Sequence, residues 1–238
     1  VYAWSRTGES VVGFPIVAHH AEATAFGKLF ATPTVADLNG DAIPDLIVAS
    51  SEKLRHEGVD FGAIYAWTGR ASAANIRANL TGWPLAVPST PLLPLISDGL
   101  TSSPVAADFD RDGHADVVVQ GTGGVPWIVS HAPGAHSNFS VPPNLLPKAG
   151  HGLAAPNAFG ERSNAKSDSF AGMFSQPSVG DLDQDGVPDL VASGGSSTLL
   201  SMRTSSASAR SAQHLLGMWN GRTGAMFPGS PFVLPDYT

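Results

Sequence analysis

Cysteine is absent from the 238 residues. That excludes disulfides, thiolate metal sites and cysteine nucleophiles, and leaves the compartment open. Charge is sparse, at 14% of residues, and the 13 lysines and arginines are scattered. No basic stripe is formed, so nucleic acid is not an expected partner. Long apolar runs are missing too. The longest, "PLLPLI" at 91–96, is broken by proline and far short of the roughly 18 residues of a membrane span, so direct membrane insertion is not expected. Catalytic signatures are also lacking. There is no His-Glu-x-x-His, no Gly-x-Ser-x-Gly elbow and no phosphate-binding loop. The eight histidines, among them His19, His20, His131 and His136, follow no zinc spacing. The expectation is a non-enzyme with no catalytic residues and no organic cofactor.

What the chain does have is turns. Gly (26) and Pro (19) are plentiful beside a hydrophobic fraction of 42%, and amphipathic helical stretches are scarce. That mixture predicts an all-β fold of many short strands. The acids are not spread evenly. "DLNGDAIPD" begins at Asp37, "DFDRDGHAD" at Asp108 and "DLDQDGVPD" at Asp181, so successive copies start 71 and 73 residues apart. Each follows a proline four residues before the first acid, with a valine between them, and runs into a β-branched apolar stretch, which reads as strand, loop, strand.

A second element alternates with the first. "VYAWSRTGESVVGFPI" (1–16), "IYAWTGR…TGWPL" (64–85) and "GMWNGRTGAMFPGSPF" (217–232) each lead an apolar run into a tryptophan, then a Thr-Gly turn and a proline. "GVPWIVSHAPG" from Gly124 is a degenerate copy holding Trp127. A repeat of about 70 residues with four short strands fits a β-propeller blade, with the strands flanking the acidic loop innermost and the Trp hairpin farther out. Trp4, Trp67, Trp127 and Trp219 are then expected to pack blade against blade.

In each loop side-chain oxygens fall at positions 1, 3, 5 and 9: Asp37, Asn39, Asp41 and Asp45; Asp108, Asp110, Asp112 and Asp116; Asp181, Asp183, Asp185 and Asp189. Alternate spacing lets one tight turn aim successive side chains at a common centre, and the carbonyl at position 7 (Ile43, His114, Val187) adds another oxygen. Hard oxygen donors in a flexible loop select Ca²⁺ over zinc or copper. An EF-hand needs a glutamate at position 12 and flanking helices; this chain has Val48, Val119 and Ala192 there, between strand-like runs. The competing reading is Asp-rich turns without metal. Three loops in register argue against it, as does charge. Eleven of the 20 acids lie in the loops, and three calcium ions would bring the net charge from −7 to −1. Gly113 and Gly186 sit at position 6, where loop one has Ala42, and loop one has neutral Asn39. Loop one is therefore expected to be the weakest of three sites.

These residues resemble the FG-GAP (VCBS) repeat, the calcium-binding blade of integrin-α-like propellers and of many secreted repeat proteins. The Trp, Thr-Gly and Gly-Phe-Pro hairpin is similar to the partner half of such blades. The resemblance implies about three structural Ca²⁺ ions per chain and an extracellular or cell-surface setting. It also implies partners that are other proteins, further blades or glycans. Two sequons, Asn79-Leu80-Thr81 and Asn138-Phe139-Ser140, point to glycosylation and so to the same setting.

The expected organisation is one propeller segment of about three blades plus a partial one. Residues 1–30 end a preceding blade, and blades follow at 31–100, at 101–172 with an insertion, and at 173–238 with a Ser-rich loop at 194–213. The surplus N-terminal hairpin implies a larger propeller. The leading reading is a calcium-stabilised propeller in an adhesion or scaffold protein. A glycan-binding or lyase-like propeller and a structural repeat in an extracellular filament are the alternatives.

Overall fold

The computed structural model describes residues 1–21, 23, 29–56, 59–88, 99–120, 126–131, 170–171, 176–196, 214–230 and 232–234. The protein is all-β, with no helix among the described residues. Three antiparallel sheets follow one another along the chain. The first has the order β1-β2-β3-β4, from β1 (Thr34–Ala36), β2 (Asp45–His56), β3 (Val59–Trp67) and β4 (Leu85–Pro88). The second has β5 (Val105–Ala107), β6 (Asp116–Gln120) and β7 (Pro126–Val129) side by side. The third has β12 (Phe232–Leu234), β11 (His214–Trp219) and β10 (Asp189–Ser196) in that order. The far edge of β10 is shared by β8 (Phe170–Ala171) and β9 (Ser178–Gly180). Each acidic loop joins an edge strand of its sheet (β1, β5 or β9) to the next strand, and the Trp strand follows as the third. The third sheet begins with Phe170, inside residues 131–172, the Pro-, Gly- and His-rich stretch read as the insertion. Most of that stretch and most of the Ser-rich loop lie outside the described residues.

The sheets pack face to face through a repeating pattern. The residue after the ninth loop position pairs with the last residue of the third strand: Leu46 with Trp67, Val117 with Val129, and Leu190 with Trp219. Directly paired residues share a face and alternate residues return to it. In the second sheet that face carries Val117, Val119, Trp127 and Val129, buried against Ile47, Ala49, Ile64 and Ala66 of the first. In the third it carries Leu190, Ala192 and Trp219, buried against Val118 and Ile128 of the second. The aromatic face of each sheet thus meets the opposite face of the sheet before it. In the first sheet the aromatic face, with Val48, Tyr65 and Trp67, is covered by Val1, Ile16 and Ala18.

Trp127 differs from the sequence alignment. Register puts Val129, not Trp127, opposite the tryptophans of the other blades, and Trp127 lies one pair farther along on the same face. That place is Tyr65 in the first sheet and Gly217 in the third. Trp219 lies over Gly217, and a Cβ there would strike its ring. Each blade therefore fills one patch with one large ring or a stacked pair. Tyr65 and Trp67 stack at 5.0 Å between centroids.

Trp4 also departs from expectation. Its hairpin is a true copy: Trp4 bridges Ser10 as Trp67 bridges Asn79 and Trp219 bridges Met226. The same turn hydrogen bonds recur at Val11, Leu80 and Phe227. Yet Trp4 is 65% exposed and stacks on Tyr2. Among the described residues no sheet lies on that side of the hairpin.

One buried acid was not anticipated. Glu52, only 1% exposed, sits where β2 loses register between Ser50 and Leu54. It accepts hydrogen bonds from the Tyr65 hydroxyl and from the His20 backbone N–H at 3.1 Å, and His19 Nδ1 lies 3.3 Å from the same oxygen. The N-terminal segment is thereby tied to the first sheet. Burial, then the neighbouring Glu52, pushes the Tyr65 phenol pKa up. Tyr65→Phe leaves one carboxylate oxygen of Glu52 without its donor in the core. The expected loss is about 1–3 kcal/mol in urea unfolding, and a variant as stable as the parent would show that the bond contributes nothing.

Candidate metal loops

The loops fold on themselves through side-chain to backbone hydrogen bonds. The first acid accepts from the position-6 N–H in every case: Asp37 from Ala42, Asp108 from Gly113 and Asp181 from Gly186. The third-position oxygen accepts from position 5, with Asn39 to Asp41, Asp110 to Asp112 and Asp183 to Asp185. The fifth accepts from position 7, with Asp41 to Ile43, Asp112 to His114 and Asp185 to Val187. These Asx turns explain why Asp and Asn alternate here: a short carboxylate or amide reaches a backbone N–H two residues on.

The ninth acid has a different task. Asp45, Asp116 and Asp189 are fully buried. One oxygen of each accepts from the second loop residue (Leu38, Phe109, Leu182). The other accepts from a residue two beyond the end of the Trp strand, namely Gly69, His131 or Gly221, at 2.8, 3.4 and 2.9 Å. This carboxylate staples the acidic loop to the Trp hairpin. Gly69 and Gly221 are required for the approach, since a Cβ at either would overlap the carbonyl oxygen of Pro44 or Pro188. The staple was not recognised from sequence, although the shared Trp-x-Gly-Arg at 67–70 and 219–222 is its signature.

Backbone strain is distributed otherwise than expected. Positions 4 and 6 are both left-handed in every loop: Gly40 and Ala42, Arg111 and Gly113, Gln184 and Gly186. Each loop therefore places one glycine and one side-chain-bearing residue at positive φ, and loop one is no more strained than its neighbours. Only the neutral Asn39 still separates it. Ala42, at φ 62°, nevertheless bears the usual penalty. Ala42→Gly is expected to stabilise the chain by roughly 0.5–1 kcal/mol, read as a higher urea midpoint at unchanged slope. A lower midpoint would overturn the strain argument.

The acids converge to different degrees. Oxygens of Asp108, Asp110 and Asp116 lie within 4.8 Å of one another, as do those of Asp181, Asp183 and Asp185. Among the described residues loop one forms no such group of three acids. In loop two Oδ1 of Asp108 is buried with no hydrogen-bond partner. Burial above all, together with the charges of Asp110 and Asp112, pushes the Asp116 pKa up to about 7 against the lowering effect of its two backbone donors. An orphaned carboxylate oxygen and a carboxyl starved of positive charge, in an all-oxygen donor set, are what a hard divalent cation relieves. His131 stacks on His114 at 4.6 Å and brings Nδ1 to 3.5 Å from Asp112. In loop three a hydrogen bond from Arg222 at 2.6 Å, followed by the Val187 N–H, lowers the Asp185 pKa.

Neighbouring loops touch. His114 of loop two lies against Gly40 of loop one, and Arg111 of loop two donates to the Asp185 carbonyl of loop three at 3.2 Å. Of the two sequons, Asn79 is exposed at its bridge to Trp67, and Asn138 lies outside the described residues.

Comparison with known proteins gives a family match over part of the chain. Residues 37–119 match the model of the FG-GAP-like repeat. That span opens on the first acid of loop one and covers β2 to β5, loop two and most of β6. No curated protein and no solved structure matches the chain. The protein is an all-β chain of small antiparallel sheets that carries an FG-GAP-like repeat over residues 37–119.

Proposed function

We propose that the protein is a calcium-stapled β-propeller segment whose metal is structural and whose surface engages other proteins outside the cell or at its surface. The observation that carries the metal is Asp108, whose buried oxygen lacks any donor within a cluster of three converging carboxylates. Ligands are drawn from positions 1, 3, 5 and 9 of each loop, with the carbonyls of Ile43, His114 and Val187 as backbone donors. Calcium supplies the positive charge that the converging carboxylates of loop two otherwise lack.

The proposal includes glycosylation at Asn79 and Asn138, and no catalysis. Glu52 and Tyr65 are buried and hydrogen-bonded to each other, and the His19 ring beside Glu52 is the one partly exposed member of this group. Arg77, over the Phe14 ring at 4.9 Å, is engaged by the carbonyls of Val12, Thr68 and Gly69 and braces two hairpins.

Metal analysis of the purified chain after dialysis against calcium-containing buffer tests the reading. Two to three calcium ions per chain are expected. None bound, with no heat on calorimetric titration, would return the loops to plain turns.

A further inference from the structure

Loop three differs from loop two in one respect that bears on how each would meet a cation. In loop two Oδ1 of Asp108 has no partner. In loop three all eight carboxylate oxygens accept a hydrogen bond. Asp181 takes Asp185 N–H and Gly186 N–H. Asp189 takes Gly221 N–H and Leu182 N–H. Asp183 accepts from Asp185 N–H and from the Asn220 side-chain amide at 2.8 Å. Asp185 accepts from Val187 N–H and, on its other oxygen, from Arg222 Nε at 2.6 Å. The Asp185 carbonyl takes two guanidinium donors, from Arg222 at 3.1 Å and from Arg111 at 3.2 Å.

Two of these donors come from the Trp hairpin rather than from the loop. Asn220 and Arg222 flank Gly221, whose N–H makes the staple to Asp189, so the staple delivers both side chains to the acids. The second sheet has His131 at the place of Gly221, and loop two keeps its orphan oxygen.

We infer that Arg222 is a tethered cation of loop three. It holds the loop in its cation-binding shape when calcium is scarce and competes with calcium for the same carboxylates, so loop three fills after loop two. The inference rests on the calcium reading above and concerns which residue sets the order of filling. The physics is charge balance. A guanidinium on Asp185 already offsets part of the loop's negative charge, and a divalent ion brought to Asp181, Asp183 and Asp185 must either displace it or bear its repulsion. The pair is partly exposed, with Arg222 and Asp185 side chains 51% and 26% accessible. Displacement is therefore within reach of a metal, because exposed pairs are held weakly.

The test uses the full chain carrying Asp41→Asn and Asp110→Asn, two exposed loop acids whose amides retain an acceptor oxygen. These changes weaken loops one and two, so that calorimetric titration with calcium reports loop three. Arg222→Gln in this background is expected to tighten calcium binding by about tenfold and to lower the melting temperature in EGTA but not in saturating calcium. Arg222→Lys, which retains the charge, is expected to keep the affinity close to that of the parent. Unchanged affinity in the glutamine variant, beside a parent that binds calcium, would overturn the inference and leave the calcium reading standing. Weaker binding would overturn it as well, by making Arg222 an ally of the metal. If neither this double mutant nor its Arg222→Gln derivative took up calcium while the unmutated chain did, the inference would fall alone; if the unmutated chain took up none, the calcium reading and the competition would fall together.

Discussion

Asp189→Ala is expected to destabilise the protein by about 3 kcal/mol, because it orphans one buried and one partly buried backbone donor at once. The Leu182 and Gly221 N–H groups both end on this carboxylate, and each unsatisfied buried donor costs roughly 1–3 kcal/mol. In a chain of this size that is a fall of roughly 6–12 °C in melting temperature. Asp189→Asn keeps one acceptor oxygen and is expected to lose about half as much. The decisive control is metal. The acid is placed by the staple rather than by a bound ion, so the loss should persist in EGTA. A variant that melts with the parent in EGTA and differs only in calcium would reassign Asp189 as a ligand alone.

The second large effect is that of calcium itself. If two loops are filled at one hundred times their dissociation constants, each adds about 2.7 kcal/mol by mass action, roughly 5 kcal/mol together. EGTA is then expected to lower the melting temperature by roughly 10–20 °C.

The size of that gap depends on pH. The Asp116 pKa is raised to about 7 in the metal-free fold, well above the usual carboxyl range. Its stabilisation of the fold is complete below the unfolded value near 4 and is lost as pH rises through about 7. In EGTA the protein should therefore become less stable between pH 4 and 7. Calcium requires the ionised acid, so its contribution grows over the same interval. The lowered Asp185 acts below this window, where stability is lost as pH falls. A gap between calcium and EGTA melts that stays constant from pH 5 to 8 would contradict the role given to Asp116.

The parts of the fold most legible in the sequence were those that repeat. Side-chain oxygens at positions 1, 3, 5 and 9, three times over, located the loops and the strands on either side, and the strand order within a blade followed. Position 9 was legible as an acid but not as a staple, since its partner N–H lies 24 residues away at Gly69 and 32 away at Gly221. Trp127 misled for a related reason. Residue identity suggested one equivalence, whereas the sheet conserves the volume on a face and lets the ring move two places along it. Arg111 and Gln184 at positive φ had no signature at all, because neither residue type announces a left-handed turn. Glu52 stood in plain view among apolar residues, but only the approach of Tyr65 and the N-terminal segment gives it a role.

The two sheet-to-sheet joints are chemically alike. In both, an aromatic-bearing face lies on the back of the sheet preceding it, and the innermost strands run alongside, with Thr32 and Thr34 bonded to Ser103 and Pro104 across the first joint. A whole unit of about 70 residues could therefore be excised or duplicated at the gene level, and each new junction would juxtapose surfaces that already fit. Modularity of this kind makes blade number a cheap variable for evolution. The loops must keep their chemistry, and the count is free to change.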